Sequence, residues 1–164
     1  ALSLYAIGLI AGNLVNVYSD NAGKDGWEKI TLASTIGGIV INTAGVTLAH
    51  GMEHPASGLR DIVHGKGLAA LTPAIIEASY TGNESKFADI AKLFGGKEAK
   101  DLALKIRELL KSINLNCTLS DLGIEEKDIP WMAENCMKVS AASVANNPVV
   151  FTQEQIADIY KKAL

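Results

Sequence analysis

The sequence predicts an all-α, bundle-like fold. Three observations carry that expectation: nearly every apolar segment has helical rather than strand length, Gly-, Asn- or Pro-containing breaks separate the segments, and the last segment opens on a Thr-x-x-Gln capping box. At 164 residues the chain fits one domain, large enough to remove about two-thirds of its unfolded surface from water without a staple. A 48% hydrophobic and 20% charged composition is ordinary for a globular chain and argues against disorder.

The elements follow in order. Leu2 to about Tyr18 reads as a largely buried helix, ended by the polar run from Ser19 to Gly26. Trp27 to about Asn42 carries Ile30, Leu32, Ala33, Ile36, Ile39 and Val40. Its period is ambiguous, and its length and small residues favour a second buried helix. A third helix runs from Val46 to about Ser57, where Pro55 should disturb or end it. After a turn at residues 61–63, Gly67 to about Ser79 forms a fourth, with Pro73 tolerated early or bending it. Thr81-Gly82-Asn83 is a loop, Lys86 to Phe94 a short amphipathic helix, and Lys97 to Ile113 a longer one with Leu102, Ile106, Leu109 and Leu110 inward. Asp121-Leu122-Gly123 is a turn, and Asp128 caps a helix reaching about Val144. Thr152 with Gln155 opens the terminal helix, whose inward stripe is Ile156, Ile159, Tyr160 and Ala163. Val149 to Phe151 and Ile39 to Ile41 are the two places that admit a short strand.

Charge and cysteine content exclude several function classes. With 15 Lys and Arg against 18 Asp and Glu, a net charge of -3 offers no field to gather nucleic-acid phosphates. The densest basic cluster, Lys97 to Lys111, is interleaved with Glu98, Asp101 and Glu108 and reads as a solvated helix face. Cys117 and Cys136 have neither metal-ligand spacing nor the density of a disulfide framework, so both are expected to be reduced and structural in a cytoplasmic protein. Leu2 to Tyr18 is short for a bilayer crossing and lacks a basic leader, so no membrane role is expected. Because the apolar run begins at once after Ala1, the chain is expected to start inside a larger protein.

The histidines are the informative residues. Only three occur, His50, His54 and His64, and all fall within fifteen residues. His50 and His54 are four apart, which on a helix puts both imidazoles on one face. His64 returns to that face if Pro55 and Gly58 help the chain turn, giving two or three imidazoles around one metal ion. The same spacing also suits ordinary surface or packed polar histidines, and no Glu follows His50 as a metalloprotease pattern requires. Gly45, Gly51, Gly58, Gly65 and Gly67 surround the cluster, consistent with close approach of a ligand or with tight helix packing. No Gly-rich dinucleotide fingerprint follows a strand, so the chain holds no nicotinamide domain of its own.

The stretch from Gly45 through Ala49-His50-Gly51-Met52-Glu53-His54-Pro55, continuing past Gly58 to Asp61-Ile62-Val63-His64-Gly65, resembles the signature region of the iron-containing (group III) alcohol dehydrogenases. The likeness extends through Leu71-Thr72-Pro73 to Ala145-Asn146-Asn147-Pro148 and the Thr152 helix, and so covers essentially the whole chain. It implies that residues 1–164 are the C-terminal, all-helical half of a two-domain, dehydroquinate synthase-like dehydrogenase, truncated at its N-terminal edge. The other half of such an enzyme is an α/β domain holding NAD or NADP.

By this resemblance His50 and His64 are metal ligands, for Fe2+ or alternatively Zn2+. His54 lines the site near nicotinamide and substrate as a candidate catalytic and cofactor-binding residue, and Gly65 lies where the cofactor approaches. The family's other two ligands, an Asp and a His on an earlier helix, would lie upstream of Ala1. The metal site is therefore expected to be incomplete in this chain and the isolated chain to be inactive. Glu53 stands where many relatives carry a smaller residue, and either tunes the site or faces solvent. The implied reaction is hydride transfer between a small alcohol or aldehyde and a nicotinamide. The implied partners are the nucleotide-binding half and, through apolar surface, a second copy of the chain. The competing reading is a stand-alone helical module that binds a partner or scavenges a metal without catalysis.

Overall fold

The computed structural model describes residues 1–164 and contains nine α-helices, three short 3-10 turns and no strand. The helices are α1 (Leu2–Tyr18), α2 (Gly23–Ala44), α3 (Leu48–Arg60), α4 (His64–Ser79), α5 (Glu84–Leu93), α6 (Leu102–Ser112), α7 (Ile129–Val139), α8 (Ala141–Ala145) and α9 (Gln153–Lys162). They divide into two compact units, one of residues 1–45 and 84–114, the other of residues 46–83 and 115–164.

In the first unit α1 lies along α2 and also touches α5, which packs on α6 and the 3-10 turn at Ala99–Asp101. Between α1 and α2 a small cluster buries Ala6, Ala33 and Ile36, with Leu9, Ile10 and Val40 against them, and Ala91, Leu102 and Ala103 are buried in α5 and α6. The expectation that the first two helices are largely buried is corrected here. Leu2, Tyr5, Trp27, Ile39 and Ile41 are each at least half exposed. The apolar residues of α1 and α2 run nearly all the way round, and a helix of that kind needs neighbours on every side. Within this unit α1 has two.

The second unit holds the larger core, built on Leu48, Met52, Leu71, Met132, Ile156 and Tyr160, all with no exposed surface. Here α3 packs on α4, α7 and α8, and α9 packs on α4 and α7. Thr152 opens α9 as its sequence predicts: its hydroxyl accepts from the Gln155 amide at 3.3 Å, and the Gln155 side chain accepts from the Thr152 amide at 2.9 Å. The expected stripe of Ile156, Ile159, Tyr160 and Ala163 is buried.

Several local expectations are corrected. Pro55 neither ends nor interrupts α3, which continues to Arg60. Proline's fixed φ is compatible with a helix, and the packing of buried Pro55 and Ala56 outweighs one lost amide donor. Both admitted strands are absent: Ile39 to Ile41 lie within α2, and Val149 to Phe151 form an irregular connection whose Val149 carbonyl accepts from the Asn147 side chain at 2.9 Å. The helix expected to reach Val144 breaks at Ser140 into α7 and α8, and the one expected from Lys97 begins as a 3-10 turn capped by Glu98 and Asp101. Asp128 stands at the N-cap position of α7, but its side chain makes no cap bond to that helix. Its carboxylate accepts from the Glu125 amide at 3.0 Å and from Arg60 at 2.6 Å, tying the end of α3 to the approach to α7.

Candidate metal centre

The three histidines share one region of the second unit. His50 and His54 project from α3 one turn apart, with ring centroids 6.2 Å from each other. His64 is the first residue of α4, and its ring lies 5.1 Å from that of His50 and 5.9 Å from that of His54. The return of the chain is not made at Pro55 or Gly58, both of which are inside α3. It is made at Asp61, which takes a left-handed conformation (φ 51°) after the last turn of α3, so that residues 61–63 suffice to reverse direction.

Burial differs across the cluster. His50 is half-buried, whereas His54 and His64 are exposed. Burial pushes the His50 pKa below the usual imidazole range, the neighbouring His64 and His54 push it the same way, and Glu53 opposes them. A neutral imidazole is the form that binds a metal.

Glu53 is the residue whose role the sequence left open. It does not face solvent: its side chain is fully buried, one carboxylate oxygen meets His64 Nδ1, and the other takes the Ser57 hydroxyl one helical turn on. Gly67 provides the space, since a Cβ at that position would stand 2.7 Å from Glu53 Oε1. Met52, beside Glu53, is held through its carbonyl by the buried Tyr160 hydroxyl of α9. The i,i+4 spacing of Glu53 and Ser57 and the small residues after His64 stand in the sequence, but they do not by themselves mark Glu53 as buried.

The donor set suits a divalent metal. Two nitrogens bound about 2.0–2.1 Å from a tetrahedral ion lie roughly 3.3 Å apart, which places ring centroids about 5 Å apart, close to the separations found here. The closest-set donor atoms, all within 4.8 Å of one another, belong to Glu53, His54 and His64, whereas the shortest ring separation joins His50 to His64. Both Glu53 oxygens are engaged, one by the Ser57 hydroxyl and the other by His64 Nδ1. Gly65 lies next to His64 in the first turn of α4, with no side chain within 4 Å of where its Cβ would be.

Comparison with known proteins matches residues 1–164 to the family described as Fe-containing alcohol dehydrogenase family, C-terminal. The chain belongs to the iron-containing alcohol dehydrogenase family. Among its relatives, 1,3-propanediol dehydrogenase of Klebsiella pneumoniae is 34% identical over 171 residues, a match covering 99% of this chain and 44% of that protein. Lactaldehyde reductase of Escherichia coli is 30% identical over 173 residues, with the same shares. The structure of 1,3-propanediol oxidoreductase superposes with a TM-score of 0.90 at 34% identity over 100% of this chain and 44% of that one. An archaeal halo-thermophilic alcohol dehydrogenase from a Red Sea brine pool does so with a TM-score of 0.90 at 30% identity, over 99% and 44%. This dehydrogenase-family chain thus spans less than half the length of the relatives it matches, and its all-α fold is that of their C-terminal domain.

Proposed function

We propose that the chain is the metal-carrying half of an NAD(P)-dependent alcohol dehydrogenase that interconverts small alcohols and aldehydes or ketones by hydride transfer. The observation that carries this reading is the convergence of the chain's only three imidazoles, with centroids 5.1 to 6.2 Å apart, in a family of metal-dependent dehydrogenases. His50 and His64 hold the ion, Fe2+ or alternatively Zn2+. When bound, the ion supplies Lewis acidity toward the substrate oxygen.

The chain's own residues do the rest of the work on this side of the cleft. His50, held neutral by burial, offers a lone pair without first releasing a proton. His54 is exposed at the rim and positions substrate and nicotinamide or passes a proton outward. Gly65 leaves room for the cofactor beside His64. The nucleotide-binding site and the choice between NAD and NADP belong to the partner domain. The relatives' names, 1,3-propanediol dehydrogenase and lactaldehyde reductase, support a short alcohol or aldehyde as the substrate class. A cytoplasmic location is proposed with them, and no single helix here is long and apolar enough to cross a membrane. The exposed apolar face of α1 and α2 supports self-association.

The test is nicotinamide reduction by short primary alcohols in the full-length protein carrying this chain, before and after removal of metal by a chelator. The reading expects activity that chelation abolishes, that Fe2+ or Zn2+ restores, and that falls at least 100-fold in His50→Ala and His64→Ala. Full activity in the chelated protein would contradict it.

A further inference from the structure

We infer that Glu53 is a positioning residue that fixes His64 as its Nδ1–H tautomer, leaving Nε2 as the one free donor atom of that ring. The inference rests on the proposed role of His64 as a metal ligand but concerns a property of the ring that exists without metal.

Four observations converge on it. The Glu53 side chain is fully buried while that of His64 is 49% exposed, so the imidazole spans from the interior to open space and is gripped at its inner end. Nδ1 meets Glu53 Oε2, and a carboxylate accepts but does not donate, so the proton lies on Nδ1. The other oxygen, Oε1, is fixed by the Ser57 hydroxyl, which also lies 3.0 Å from the Ile62 carbonyl oxygen in the turn leading to His64. Finally, the carboxylate sits in a space that exists because residue 67 is glycine: a Cβ there would be 2.7 Å from Oε1 and 2.8 Å from Cγ. Each oxygen is thus engaged by one neighbour, and Gly67 of α4 lies close against the carboxylate. A buried carboxylate left without these partners would be strongly destabilised, so its position and the tautomer of His64 are set together. A partner of this kind raises the basicity of the opposite ring nitrogen and prevents the ring from turning.

The test uses the metal-free chain. Long-range 1H–15N spectra at pH 8 report the tautomer of each of the three imidazoles separately. The expected result is His64 as Nδ1–H in the native chain, a switch toward the Nε2–H form that dominates free imidazole in Glu53→Met, and retention of Nδ1–H in Glu53→Gln, which keeps an acceptor but no charge. Co2+ affinity, followed through the same signals, should fall roughly 10-fold or more in Glu53→Met. Native His64 found as Nε2–H, or an unchanged tautomer in a folded Glu53→Met chain, overturns the inference. Should Glu53→Met not fold, the native spectrum and that of Ser57→Ala, in which the His64 signal should broaden or split, still decide. A chain that shows the Nδ1–H form but binds no Co2+ would uphold this inference while removing the metal reading on which its purpose depends.

Discussion

At the scale of single residues, His50 gives the clearest pH signature. Its folded-state pKa lies below its unfolded value of about 6.5, so the unfolded chain binds more protons in the interval between them. The stability this provides is complete above the unfolded value and is lost as pH falls through the folded one. The thermal midpoint should therefore drop between pH 7 and pH 5, and His50→Gln should flatten that drop. An unchanged slope in the variant would show that His50 is not depressed. The cysteines differ in the same physical terms. Burial pushes the Cys136 thiol up to about 11, whereas Cys117 is half-buried, with its sulfur 3.6 Å from the Lys66 carbonyl oxygen. One thiol should react with a disulfide reagent at pH 8 in the native chain and two after unfolding. Equal rates for both in the native chain would contradict the burial of Cys136. The histidine cluster was legible because three rare residues crowd one short stretch. The buried role of Glu53 was not, since a glutamate's spacing does not reveal whether a glycine on another helix makes room for it.

At the scale of elements, two glycines near the cluster should respond in opposite directions to alanine. Gly67→Ala forces a Cβ against a carboxylate that is itself held by Ser57 and His64, and should destabilise by about 1–3 kcal/mol. Gly58, inside α3 with open space around it, should stabilise by about 0.5–1 kcal/mol when replaced by Ala. Urea unfolding midpoints compare the two directly, and a shift of the same sign in both would remove the argument that α4 approaches Glu53 closely. Thr152→Ala should lower stability by about 1 kcal/mol through loss of the α9 cap. The terminal helix was legible because its capping box and apolar stripe agree. Pro55 was misleading because a local rule about helix termination yields to the packing of a buried segment, and the β-branched run from Ile39 to Ile41 because no strand edge exists to pair with it.

At the scale of the whole molecule, the all-α class followed from segment lengths, breaks and the terminal capping box, but the exposure of α1 and α2 did not. Apolar composition states that a surface requires cover, not where the cover comes from. Trp27, Ile39 and Ile41 are exposed in a chain spanning 44% of the length of its relatives. The central claim, that His50 and His64 share one divalent-metal site, is tested most directly by titrating this chain with Co2+ while following its imidazole NMR signals. His50 and His64 should broaden and shift together along a single binding curve, and His64→Ala should abolish the response of His50. Independent curves for His50 and His64, or no response at either ring up to millimolar Co2+, would contradict the account.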